Sequence, residues 1–150
     1  MDLVEDGGIW TTETSISISE SKLDYVEVSL SNWNYEGGAH GSAWSEERLI
    51  DRKTGVELEL SDFITDQGEL LRIAEAIFRA DQGIDSDQNL YDAGFWFEDN
   101  VFRLNENFVF NENSMDFLYN QYEIAPYAAG MIYLSIPMDK IQYLLKRKAY

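Results

Sequence analysis

Glu123 stands in the segment Tyr122-Glu123-Ile124-Ala125-Pro126-Tyr127-Ala128-Ala129-Gly130, a single acid among apolar and aromatic neighbours. A carboxylate taken out of water must be hydrogen-bonded or paired, or else stay protonated. The setting predicts a buried Glu123 with a partner, serving as a structural anchor or as a functional acid, in a polar network with Tyr122 or Tyr127. Ala125 precedes Pro126 and is pushed toward extended backbone, while Gly130 admits a positive φ. The segment reads as a rigid, irregular crossing between two strands.

His40, in Gly37-Gly38-Ala39-His40-Gly41, is the only imidazole of the chain. It can act as a general base or a pH-sensitive contact, or it can hydrogen-bond a backbone carbonyl and pin the glycine turn. Ser42 follows two residues on, but a nucleophile, base and orienting acid cannot be assembled from that pair. Asp85, Asp87 and Asn89 have the spacing that opens a calcium loop. Leu90 replaces the glycine that such a loop needs, and Trp96 stands where the bidentate glutamate belongs, so a solvated acidic loop and no metal site are expected. No cofactor loop is present in the sequence. A glycosidase needs two carboxyls about 5 to 9 Å apart; among 28 acids such a pair is nearly guaranteed and decides nothing. Trp10, Trp33, Trp44 and Trp96 offer a sugar-stacking face or protein hot spots, although rings at strand spacing more often belong to a core.

These residues need elements to hold them. Ser15 to Ser19 alternates through Ile16 and Ile18, and Tyr25 to Ser31 through Val26, Val28 and Leu30, the period of half-buried strands. A further strand is expected near Glu47 to Asp51, then a tight turn, Asp51-Arg52-Lys53-Thr54-Gly55, and a return strand through Val56, Leu58 and Leu60. After Phe63 the period changes. Asp66 with Glu69 suggests a capping box, and Leu70, Ile73, Ala74 and Ile77 form the stripe of an amphipathic helix over Gln67 to Ala80. The polar stretch Asp81 to Asn89 is the longest loop. Phe95 to Phe97, Phe102 to Leu104, Asn107 to Phe110, Met115 to Tyr119 and Met131 to Ile136 read as strands, with a turn at Asn111 to Ser114. Pro137 suits the first turn of a terminal helix, and Lys146-Arg147-Lys148 suits its C-terminal dipole. The expected fold is a single α+β domain over residues 1–150, a largely antiparallel sheet with one amphipathic helix across it and a short C-terminal helix.

Two separated pieces, Gly37-Gly38-Ala39-His40-Gly41 and Asn120-Gln121 with Tyr122 to Gly130, together with this order of elements, resemble the extracytoplasmic C-terminal domain of RsiV-type anti-sigma factors. That domain also occurs in bacterial lipoproteins and beside polysaccharide deacetylases. The match runs from about Tyr25 to about Leu145. It implies an exported protein at the cell envelope, of which this chain is a trimmed part lacking its signal or anchor and some N-terminal strands. It marks Gly37, Gly38, His40, Gly41, Tyr122, Glu123, Pro126 and Gly130 as the structural motif, with His40, Tyr122, Glu123 and Tyr127 as candidate contacts. The implied role is a noncatalytic binding or sensing module for a basic protein such as lysozyme. The alternative is a glycan-binding accessory domain of a deacetylase, or a wall hydrolase.

Composition bounds these readings. With 8 Phe, 9 Tyr and 4 Trp in 150 residues, rings should dominate packing. No apolar run approaches the length of a membrane span, and Met1 to Gly8 lack the pattern of a signal peptide. Absence of cysteine removes disulfides, thiolate nucleophiles and cysteine-based zinc sites. The formal net charge is −17, from 28 acids against 11 bases. Such a balance disfavours nucleic acid and anionic membranes as partners and favours cations or a basic protein.

Overall fold

The computed structural model describes residues 10–20 and 24–146. Among the described residues, seven strands form two antiparallel sheets. The first carries β1 (Thr11–Glu20), β2 (Tyr25–Tyr35), β3 (Ser42–Asp51) and β4 (Glu57–Leu58) in sequence order. The second carries β5 (Phe108–Phe110), β6 (Ser114–Tyr119) and β7 (Ile132–Pro137). Between them run α1 (Leu60–Phe63) and α2 (Gln67–Gln82), and α3 (Met138–Ile141) follows β7 directly. The α+β class and the antiparallel pairing are as expected, but the strands divide into two sheets. Met1 to Gly8, Arg147 and Lys148 lie outside the described residues.

The division has a visible cause at the edge of β3. β4 pairs only with Leu49 and Ile50, which leaves the Ser42 to Arg48 stretch of that edge open. Side-chain amides close it in place of a strand. Gln121 Oε1 accepts from the Ala43 amide at 3.0 Å, Asn120 Oδ1 from Ser45 at 2.7 Å and Asn107 Oδ1 from Glu47 at 2.8 Å. The Asn107 and Asn120 Nδ2 groups both donate to the Ser45 carbonyl at 2.9 Å. Alternate residues of a strand point their backbone groups to one side, so three amides at this spacing satisfy the edge and tie the sheets together.

One core spans both sheets. Phe63 lies at its centre, edge-on to Tyr25 at 5.7 Å and against Phe110 at 5.0 Å. Phe78 of α2 gathers Phe95, Phe97 and Phe102 within 4.9, 5.6 and 5.2 Å. Those last three rings do not sit on strands. The chain from Phe95 to Leu104 is irregular, with a 3-10 turn at Glu98–Asn100 and positive φ at Asp99 (53°) and Asn100 (58°). Its aromatic alternation arises from rings inserted into the core from a loop. Leu60, expected in a strand, starts α1, because Glu59 and Asp62 make the reciprocal capping box there. At α2 only half of the expected box forms. Asp66 Oδ1 accepts from the Glu69 amide, while the Glu69 carboxylate turns to Arg72 and Tyr143. That helix runs two residues past Ala80 and stops at Gly83, whose φ of 67° favours a residue without Cβ.

The hairpin β1–β2 and β3 extend beyond the core. Their constant register places Ile16, Ile18, Val28 and Leu30 on one face, and Tyr25 and Leu49, both buried, on the other. The apolar row therefore faces outward, with Ile16 64 % and Ile18 67 % exposed. Alternation identified the strands correctly and assigned the wrong face to the core.

Candidate functional site

The two motif pieces meet at one corner. The β2–β3 connection turns through Gly37 and Gly38, at φ of 88° and 101°. Gly41 is needed for a different reason: a Cβ there would lie 2.8 Å from the Asn34 carbonyl oxygen and from the Trp33 ring. This close packing fixes the backbone on either side of His40. The exposed imidazole stacks on Tyr127, with centroids 3.7 Å apart and planes inclined by 15°. Tyr127 Oη donates to the Gly41 carbonyl at 2.8 Å, so the ring is held to the same turn at both ends. Tyr122 stands 5.6 Å from Tyr127, 55 % exposed and at a φ of 65°. His40, Tyr122 and Tyr127 thus form one aromatic surface. Ser42 takes no part in it, because its hydroxyl donates to Asn34 Oδ1.

Glu123 points elsewhere, and it is exposed, not buried. Its Oε2 accepts from the Asn120 amide at 2.7 Å and its Oε1 from Asn105 Nδ2 at 2.8 Å, closing the turn from Asn120 to Glu123. Neither tyrosine bonds to it. The apolar neighbours that suggested burial divide their duties: Ile124 and Ala125 enter the core, while Tyr122 and Pro126 remain outside. The crossing is irregular as expected, with a 3-10 turn at Tyr127–Ala129 and Gly130 at φ 70°.

Beside this corner lies a cleft of about 510 Å³ with Trp44 as one wall and Glu46, Glu47, Glu57, Glu106 and Glu123 among its lining. Arg48 is its one lining cation and bridges Glu46 and Glu57. Burial holds the Glu47 carboxyl above the usual range; the 2.5 Å hydrogen bond from Ser29 Oγ opposes the rise, and the charge of Glu27 adds to it. Trp44 was among the rings expected to offer a stacking face, but sequence reading missed the Glu46–Arg48–Glu57 triad, whose members come from two strands paired across a turn. All four tryptophans lie at the surface, at 74 % exposure for Trp10 and 40 to 43 % for the others, so none is a core ring. In the acidic loop, Asn89 Oδ1 is taken by the Tyr91 amide and Arg79 Nη1 holds the Asp85 and Gln88 carbonyls.

This arrangement offers ring faces, carboxylates and backbone-anchored side chains at an open surface of an antiparallel α+β scaffold. Residues 61–139, more than half the chain, match the family described as Protein of unknown function (DUF3298), and the chain belongs to it. Among solved structures it is similar to a member of that family from Bacteroides fragilis NCTC 9343, at 23 % identity and a TM-score of 0.74 over 92 % of this chain and 55 % of that one. It is also similar to a family protein from Pseudomonas aeruginosa PAO1, at 23 % identity and a TM-score of 0.67 over 91 % of this chain and 62 % of that one. The chain thus spans somewhat over half the length of these relatives, and the likeness to them is one of fold. No curated protein matches it in sequence. The His40 turn precedes the residues that the family match covers.

Proposed function

We propose that this chain is a noncatalytic, extracytoplasmic binding or sensing module of the RsiV type, and that the corner of His40, Tyr122 and Tyr127 recognises a basic protein such as lysozyme. The observation that carries the reading is the stack of His40 on Tyr127. It joins two motifs distant in sequence into one exposed surface beside an acidic cleft. Stacked rings held by backbone bonds lose little freedom on binding, which is how aromatic hot spots gain affinity. Carboxylates around them complement lysines and arginines of a partner.

Calorimetric titration with lysozyme tests this. Tyr127→Ala removes the platform under His40 and should weaken binding by roughly tenfold or more. Tyr127→Phe keeps the ring, loses only the bond to Gly41, and should weaken it much less. Circular dichroism checks that both variants fold. Equal affinity for wild type and a folded Tyr127→Ala, or no binding by the wild type, overturns the reading.

A further inference from the structure

The long strands carry hydroxyls on the face opposite the apolar row. In register, Ser15, Ser31 and Ser45 lie side by side across β1, β2 and β3, and the next row toward the hairpin end is Glu13, Trp33 and Ala43. This is the face that delivers Tyr25 and Leu49 to the core; the fully buried residues stop there, Ser29, Ser45 and Glu47 are half-buried, and Ser15, Ser31 and Trp33 are exposed. Between it and the start of β7 runs a groove of about 490 Å³, with Trp33 and Tyr133 as aromatic walls and Glu13, Ser15, Ser31 and Ser45 among its polar lining. Trp33 is 42 % and Tyr133 65 % exposed. Trp33 is also oriented, stacked on Tyr35 at 6.5 Å with planes inclined by 13° and packed against Gly41.

We propose that this groove binds an oligosaccharide of neutral or amino sugars, one pyranose ring on Trp33 and another against Tyr133. A pyranose has an apolar C–H face, which an aromatic plane covers, and a rim of hydroxyls, which short donor–acceptor side chains satisfy. Ser15 and Ser31 give such bonds without filling the groove, while the Ser45 hydroxyl already donates to the Leu30 carbonyl at 3.1 Å and keeps only acceptor capacity. An apolar occupant would desolvate them without replacing their bonds to water. Glu13 and the net charge of −17 disfavour uronic or sulfated sugars and favour a protonated amine. The site shares no residue with the His40, Tyr122 and Tyr127 corner and stands independently of it.

Calorimetric and NMR titration with chitotetraose, its fully deacetylated tetramer and tetragalacturonate tests the proposal. The first two should bind, the deacetylated tetramer at least as tightly, and tetragalacturonate should not. Trp33→Ala and Tyr133→Ala should each weaken binding by roughly tenfold, and Trp33→Phe by less. Tyr133→Ala removes an exposed ring and keeps the fold, so it decides the matter even if Trp33→Ala disturbs the Gly41 turn. Absence of binding by either hexosamine tetramer at millimolar concentration sinks the proposal. So does equal affinity for tetragalacturonate, or a folded Tyr133→Ala that binds as wild type does. Lysozyme recognition with no sugar binding rejects this site and leaves the protein-binding corner standing.

Discussion

Glu123 closes the turn from Asn120 to Glu123 with both carboxylate oxygens, in the open, on neutral donors. Water can replace an exposed acceptor, so Glu123→Ala should cost about 1 kcal/mol, short of the 3 to 5 that a buried charged pair would demand. Denaturant unfolding gives the number, and a loss above about 3 kcal/mol would mean that the turn supports far more than its own bonds. Glu47 behaves in the opposite sense. Burial raises its folded pKa above the ordinary 4.5, so the native state holds a proton that the unfolded chain has released, and stability falls as pH rises through that window. Glu47→Gln keeps the Ser29 bond, sheds the buried charge, and should raise the melting temperature at pH 7. The gain should vanish in acid, below the unfolded carboxylate range, and a pH-independent difference would contradict this. The sequence drew attention to Glu123 because burial was inferred from neighbours in the chain. Burial is decided by the direction of each side chain, and at this irregular crossing with Tyr122 at positive φ no periodicity announces it.

At the scale of elements, the side-chain amides on β3 make a prediction that strand pairing alone would not. Asn120 gives Ser45 both an acceptor and a donor; Asn120→Ala leaves the half-buried Ser45 N–H unsatisfied while the carbonyl keeps its Asn107 bond, and should cost about 1–3 kcal/mol. Asn120→Asp keeps the acceptor and should fall between. Asn107→Ala should be similar, and the two losses should not add, because both residues serve the Ser45 carbonyl. Urea unfolding of the single and double variants checks all three statements, and wild-type stability for Asn120→Ala would show that the edge needs no cover. Helix α2 and strands β2, β6 and β7 were legible in the sequence because their apolar residues recur with a regular period and are bounded by glycine, proline or turn residues; of β3, whose apolar residues have no such period, only Glu47 to Asp51 was expected. The Phe95 to Leu104 stretch was not, since rings packed from a loop imitate strand alternation. The facing of β1 was equally hidden: period two says that one side differs from the other, and only the position of Tyr25 and Leu49 says which side meets the core.

At the scale of the molecule, the bases among the described residues are largely spoken for. Arg48 bridges Glu46 and Glu57, Arg72 is held by Glu69, Arg79 by Glu75, and Arg103 lies 3.7 Å from Glu98. Each such pair is close to neutral at a distance, so the field that an approaching protein meets is that of the excess acids, −17 in all. A field of one sign accelerates encounter without lengthening the life of the complex, because it acts over the separation that salt screens. The screening length falls from about 30 Å at 0.01 M salt to about 8 Å at 0.15 M. The stack of His40 on Tyr127 acts only in contact and is indifferent to this change. The association rate with lysozyme should therefore drop by roughly tenfold or more across that range, while the dissociation rate changes little. Stopped-flow fluorescence separates the two rates. A flat association rate would remove the role given to charge, and a dissociation rate that rises as steeply as association falls would place the binding energy in the acidic cleft and not in the aromatic corner.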